Sequence, residues 1–202
     1  MRAAPARPTT TADVIYTRRS ARLYTGHAID KPTVAALLDA AVQAPTAMHI
    51  EPWGFVVIQD ASLLRKYSER VKTTWMHDVE SFERLHPNVQ RAHTALATQL
   101  KDPAFDVFYN AGTLIAICTR AAGEFAVADC WLAAENLMLA ATALGLGTCC
   151  IGSAVKVLNA PDVKAELGLH ASTLVVAPIA VGEPVGESAP SARSAPVILA
   201  WR

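Results

Sequence analysis

The stretch Phe125-Ala126-Val127-Ala128-Asp129-Cys130-Trp131-Leu132-Ala133-Ala134-Glu135-Asn136-Leu137-Met138-Leu139-Ala140-Ala141-Thr142-Ala143-Leu144, running straight into Gly145-Leu146-Gly147-Thr148, decides the fold. Val127, Cys130, Trp131, Ala134, Leu137, Met138 and Ala141 recur at helical spacing on one broad apolar stripe, and alanines fill much of the rest. Alanines let backbones approach closely, so the stretch predicts a central or dimer-facing helix. Gly145, lacking a Cβ, suits a left-handed C-cap. The glycines that follow come after a helix, whereas the dinucleotide fingerprint GxGxxG joins a strand to a helix, so no Rossmann site is read here.

Strands flank this helix on both sides. Ala111–Thr119 is a clear buried strand, Thr173–Val181 another, Gly54–Ile58 a third by its β-branched content, and Val197–Trp201 is expected to be a last one. Gly145–Ser153 reads as a glycine-rich connection. A short helix is expected over Ala12–Thr17 and another over Pro161–Leu167. Asp30-Lys31-Pro32 marks a helix start, with Val34, Leu37, Leu38, Ala41 and Val42 on one face and Pro45 as the stop. No repeat or linker divides the chain, so the class is α+β or α/β in one domain.

The 202 residues are enough for a sizeable core, and 18 basic against 18 acidic side chains leave no net charge. Nucleic acid and anionic membranes are therefore not the expected partners, since both demand an excess of positive charge. The 52 % hydrophobic content fits a subunit that hides surface in an interface. The uncharged run Asn136–Val155 is broken by Gly145, Gly147, Gly152 and Ser153 and is led by Asp129 and Glu135, so a buried helix and turn explain it better than a membrane span. Cys118, Cys130, Cys149 and Cys150 sit in apolar runs without CxxC spacing, which favours a reduced, cytoplasmic setting and no zinc site. Residues 1–13 read as a flexible arm.

Two segments offer chemistry. In Thr17-Arg18-Arg19-Ser20-Ala21-Arg22, an extended backbone would point residues 18, 20 and 22 the same way, and a helix would still place 18 and 22 on one face. Either brings two guanidiniums together, a fork suited to phosphate oxygens, and the Ser20 hydroxyl could add a donor between them. The loop Ala44–Trp53, pinned between Pro45 and Pro52, can present side chains to a ligand. Ser62–Leu100 is helical and polar, with Pro87 expected to split it. His86 and His93 lack a third ligand, so no metal is expected. Residues 62–104 read as an excursion that could cover a site.

Taken together, Arg18-Arg19-Ser20-Ala21-Arg22-Leu23-Tyr24, the loop Ala44-Pro45 to Pro52-Trp53-Gly54-Phe55, the helix Asp129–Ala141 with Glu135-Asn136-Leu137, and Gly145-Leu146-Gly147-Thr148 resemble the FMN-dependent nitroreductase family. The resemblance runs from about Val14 to Trp201. It implies a nitroreductase-like α+β fold, a central mostly antiparallel sheet flanked by helices, over residues 14–202, intertwined in a homodimer with FMN at the interface. It implies phosphate contacts from Arg18 and Ser20, with Arg19 close by and Arg193 joining from the C-terminal link. Arg22 would lie beside flavin N1, Thr46, His49 and Glu51 along the loop, and Ile151, Gly152 and Ser153 near N5. The implied activity is reduction of nitroaromatics, quinones or enones with NADH or NADPH, the flavin carrying the chemistry without a protein acid, base or nucleophile.

Two positions depart from the family. His49 and Glu51 stand where an asparagine and a glutamine are usual, and Glu51 places a carboxylate near an electron-rich ring. This leaves open a flavin-holding protein with little turnover.

Overall fold

The computed structural model describes residues 10–85, 98–186 and 192–202. Strands β1 (Trp53–Ile58), β2 (Thr113–Thr119), β3 (Gly147–Cys150) and β4 (Leu174–Gly182) form one antiparallel sheet in the order β1-β2-β4-β3. Around it lie α1 (Thr11–Thr17), α2 (Lys31–Ala41), α3 (Ala61–Leu85), α4 (Glu124–Ala143), α5 (Val155–Leu158) and α6 (Pro161–Glu166), with a helical segment at 98–101. This is the expected α+β class.

The central strands explain their own composition. Every residue of β2 is buried: Leu114, Ala116 and Cys118 face one core layer, Ile115 and Ile117 the other. A strand covered on both faces loses polar alternation and reads as a continuous apolar run. Leu64, Tyr67 and Val71 of α3, with Val157, Leu158 and Val163, close the first layer. The second is closed by Val34, Leu37 and Ala41 of α2 and by Cys130, Ala133, Ala134, Leu137 and Ala141 of α4.

Helix ends follow local chemistry. The Thr10 hydroxyl accepts the Asp13 N–H at 3.1 Å while the Asp13 carboxylate accepts the Thr10 N–H, a reciprocal cap on α1. Asp30 caps α2 by accepting the Thr33 N–H at 2.7 Å. Past α4, Gly145 has φ +78°, the left-handed conformation expected of it. Helix α3 runs unbroken to Leu85; Pro87, His86 and His93 lie outside the described residues.

Three expectations change. Gly147–Cys150 is a strand, not a connection: it pairs with β4 from Gly147 opposite Gly182 to Cys150 opposite Ile179. Val197–Trp201 forms no strand and lies exposed, Leu199 at 95 %, because β-rich composition gives a strand only where an unpaired edge receives it. Trp131, assigned to the apolar stripe of α4, is half-exposed with Leu132. The helix instead buries its small residues, which bring its backbone close to the sheet.

The basic stretch closes the β3 edge. Ser20 bridges Thr148 in parallel, Ala21 N–H donates to the Thr148 carbonyl at 2.9 Å, and Tyr24 bridges Pro184. Tyr24 is the pin: its ring lies over Gly147 and Gly182, and its buried hydroxyl donates to the Ala21 carbonyl at 3.0 Å. A Cβ on Gly147 would come within 2.6 Å of the Ala21 Cβ and 3.3 Å of the Tyr24 ring. Gly147→Ala should therefore lower stability by about 1–3 kcal/mol, the usual range for overpacking, read from urea denaturation midpoints at unchanged m-value.

Candidate functional site

Pairing with β3 makes the basic stretch extended, so Ala21 is buried while Ser20 and Arg22 stay exposed. Arg18 is half-buried, and its Nε lies 3.3 Å from a Glu135 carboxylate oxygen on α4. Arg19 turns back and donates to the carbonyls of Tyr16 at 2.7 Å and Arg18 at 2.8 Å. It thus places positive charge at the C-terminal end of α1, where the helix dipole favours it. Arg22 reaches the β3 side of the stretch: its charge draws the Cys149 and Tyr24 pKa values down, against burial that pushes both up.

The same strand links this cluster to the glycine turn. Thr148 meets Ser20, and the chain leaves β3 through Ile151 into the turn Gly152–Ala154. Ile151 is buried and its N–H donates to the Pro178 carbonyl at 2.8 Å, while Gly152 is exposed with open space where a Cβ would stand. The Ser153 carbonyl accepts the Trp75 indole N–H at 3.1 Å, which ties the turn to α3. The Thr148 hydroxyl is buried and has no hydrogen-bond partner among the described residues. Such an orphan costs about 1–3 kcal/mol unless a bound group satisfies it.

The loop between α2 and β1 reaches α4 from the other end. The turn Ala47–His49 is held by Asp129, whose two oxygens each lie 3.3 Å from the Ala47 N–H donor. Thr46 is half-buried; Met48, His49 and Glu51 carry φ values of 54°, 54° and 48°, left-handed at three residues with side chains on either side of a right-handed Ile50. Strained backbone of this kind concentrates at functional sites. His49 and Glu51 are exposed, and Arg193 lies in the exposed tail, where no described contact carries it to the basic stretch. The structure thus joins Arg18, Ser20, Arg22 and residues 151–153 through β3, brings Thr46–Glu51 to α4, and leaves Arg193 apart.

A cavity of about 190 Å³ opens between α3, the 105–109 segment and the turn after β3, lined by Trp75, Leu100, Phe105, Tyr109, Cys150 and Ile151. Burial pushes the Cys150 thiol up to about 11, so it stays protonated at neutral pH. Helix α3 is tied to α6 by Lys66 and Tyr67 on Glu166 and by Arg70 on Asp162, with Tyr67 Oη 2.9 Å and Arg70 NH2 2.9 Å from their carboxylates.

Sequence reasoning did not assign roles to Trp75, Tyr109 or the Thr148 hydroxyl. The buried Asp129 and the Glu135 partner of Arg18 left a signal: they are the acidic residues interrupting an otherwise apolar helix.

The fold is similar to that of a nitroreductase from Bacteroides fragilis solved with bound FMN. The two share 26 % identity and a TM-score of 0.71 over 95 % of this chain and all of that one. A Nitroreductase family model matches residues 15–183, and the chain belongs to that family. Among curated relatives, an Archaeoglobus fulgidus protein provisionally named NADH dehydrogenase/NAD(P)H nitroreductase is 29 % identical over 175 residues, 86 % of this chain and 85 % of its own. An NADH dehydrogenase of Thermus thermophilus is 27 % identical over 194 residues, 87 % of each chain.

The Lys66 ammonium and the Tyr67 hydroxyl hold the Glu166 carboxyl below its ordinary value, and Arg70 does the same for Asp162. A depressed carboxylate stabilises the fold above its unfolded pKa of about 4 and loses that contribution as pH falls through the folded value. Glu166→Gln should melt lower than the parent at pH 7, and the gap should close below about pH 4, as followed by thermal melts.

Proposed function

We propose that the chain is an FMN-dependent oxidoreductase working as a homodimer, taking electrons from NADH or NADPH and passing them to small organic acceptors such as nitroaromatics, quinones or enones. The observation that carries this reading is the joining of Arg18, Ser20 and Arg22 to the Gly152–Ser153 turn through one short strand. In this reading, anion donors and an open backbone turn would stand at the two ends of β3, about 13 Å apart in extended chain.

The residues present fit FMN. Glu135 engages Arg18 through Nε, and the described contacts leave the terminal amino groups of the guanidinium for a phosphate, with the Ser20 hydroxyl beside them. The orphaned Thr148 hydroxyl at the same junction supports a group bound there. Bound FMN would supply the two-electron chemistry between nicotinamide and acceptor. Arg22 would contribute a fixed positive charge at the redox end, favouring electron uptake there. Thr46, His49 and Glu51 would border the group from the loop, Ile151, Gly152 and Ser153 from the turn, and Arg193 would approach from the tail.

The homodimer is supported by what one chain leaves uncovered. Phe125, Trp131 and Leu132 of α4, Ile15 and Tyr16 of the adjoining α1, and Met48 and Ile50 of the loop anchored on α4 all lie outward. Val197, Ile198, Leu199 and Trp201 do the same in the tail. So large an apolar surface favours an interface, and a second copy covering α4 would sit beside the proposed flavin. Residues 14–202 would act as one unit. No helix among the described residues is long and apolar enough to cross a membrane, and a cytoplasmic location is proposed from the unpaired cysteines.

The purified protein should be yellow, and NADH or NADPH should bleach it without oxygen. Bound FMN that neither nicotinamide reduces would reject the enzymatic reading. Turnover with benzoquinone separates it from a flavin-holding protein. Arg18→Ala should weaken FMN binding about 10- to 100-fold, the loss of one charged hydrogen-bond donor, while Arg65→Ala on α3 should not. Equal effects in fluorescence titrations would remove the phosphate assignment.

A further inference from the structure

We propose that Glu135 sets how tightly the junction of Arg18, Ser20 and β3 holds a terminal phosphate: its carboxylate aims the Arg18 guanidinium and at the same time offsets one positive charge of the site. That the phosphate belongs to FMN rests on the flavin reading; the charge balance at the junction does not.

The junction is marked as an anion site by more than its arginines. Ser20 meets Thr148 across a parallel bridge, and the Thr148 hydroxyl is buried without a partner among the described residues. Arg19 is occupied elsewhere, since its guanidinium donates to the Tyr16 and Arg18 carbonyls. That leaves Arg18 and Arg22 as the cations of the stretch that can face an anion, with Glu135 set against Arg18.

Both members of this ion pair are held in place. Ala133, Ala134 and Leu137 beside Glu135 are fully buried, so α4 cannot carry the carboxylate away. Helix α1 packs on α4, and the Arg18 N–H closes α1 by donating to the Val14 carbonyl at 2.9 Å. Between them Glu135 Oε1 lies 3.3 Å from Arg18 Nε, beyond the roughly 2.7–2.9 Å of a strong charge-assisted hydrogen bond. The pair is therefore loose: it turns the guanidinium without saturating it. Contact through Nε leaves the two terminal amino groups as a fork for phosphate oxygens.

Charge decides what this arrangement does to affinity. A phosphate monoester carries close to two negative charges near neutral pH, and a fixed carboxylate beside it opposes binding in proportion to that charge. Glu135 thus makes the phosphate a means of recognition that does not lock the bound group in place. A glutamine at this position would keep an oxygen to accept the Nε–H while removing the opposing charge.

The test uses the full-length parent, Glu135→Gln and Glu135→Leu, each freed of flavin by dialysis and titrated with FMN, riboflavin and inorganic phosphate. Glu135→Gln should bind FMN and inorganic phosphate about three- to tenfold more tightly than the parent. Riboflavin, which lacks the phosphate, should bind both alike, a result that a merely structural role for Glu135 would not give. Added salt at about 1 M should narrow the gap by screening. Glu135→Leu should gain less than Glu135→Gln, because the fork loses its aim. Unchanged or weaker binding of FMN and phosphate by Glu135→Gln, or an equal shift for riboflavin, would overturn the proposal, and Glu135→Leu matching Glu135→Gln would remove the aiming role. Phosphate held more tightly by Glu135→Gln with FMN bound by neither protein would fail the flavin reading alone.

Discussion

The seating of Tyr24 on two glycines sets the position of everything that follows it. Gly147 and Gly182 face each other across β3 and β4, and the phenol ring fills the space that two side chains would otherwise claim. Its burial also pushes the phenol pKa upward, so the hydroxyl remains a donor to the Ala21 carbonyl at any ordinary pH. With the ring held, residues 18–22 have one register on β3. The cationic side chains are therefore displayed by a sheet edge, whose geometry is far stiffer than that of a free turn.

Helix α4 does the complementary work from the second layer. Its buried alanines let it lie close against β2 and β4, and three of its polar side chains fix neighbouring segments. Asp129 holds the Ala47 turn, Glu135 faces Arg18, and the Asn136 amide donates to the Ala40 carbonyl at 3.3 Å. Glu135 and Asp129 are six positions apart, about 9 Å along a helix. One rigid element thus spaces the strained loop from the basic stretch. A carboxylate beside Arg18 orients the guanidinium, and it also competes with any anion that the arginine would bind.

Much of this architecture is legible in the chain. The caps at Asp30 and Gly145, the buried strand at Thr113–Thr119 and the long alanine-rich helix all appear where local chemistry requires them. The edge strand β3 was hidden by its opening glycine, a residue depleted in strands, whose presence the packing of Tyr24 explains. The tail misled in the opposite sense, since Val197-Ile198-Leu199 has strand composition but finds no edge within its own chain. The pairing of Arg18 with Glu135 and the hold of Asp129 on Ala47 join residues more than eighty positions apart, beyond the reach of periodicity. Aromatic residues such as Trp75 and Tyr109 read as ordinary core until the cavity between them is seen.

The left-handed backbone at Met48, His49 and Glu51 carries a further consequence for motion. Each such residue disfavours the native backbone by about 1 kcal/mol or more, and the hold opposing it comes largely from one carboxylate on α4. Local opening of this loop therefore requires less free energy than unfolding of the sheet. Its amides should exchange with solvent as a separate, faster unit. The loop would then open as a hinged flap while the sheet stays closed.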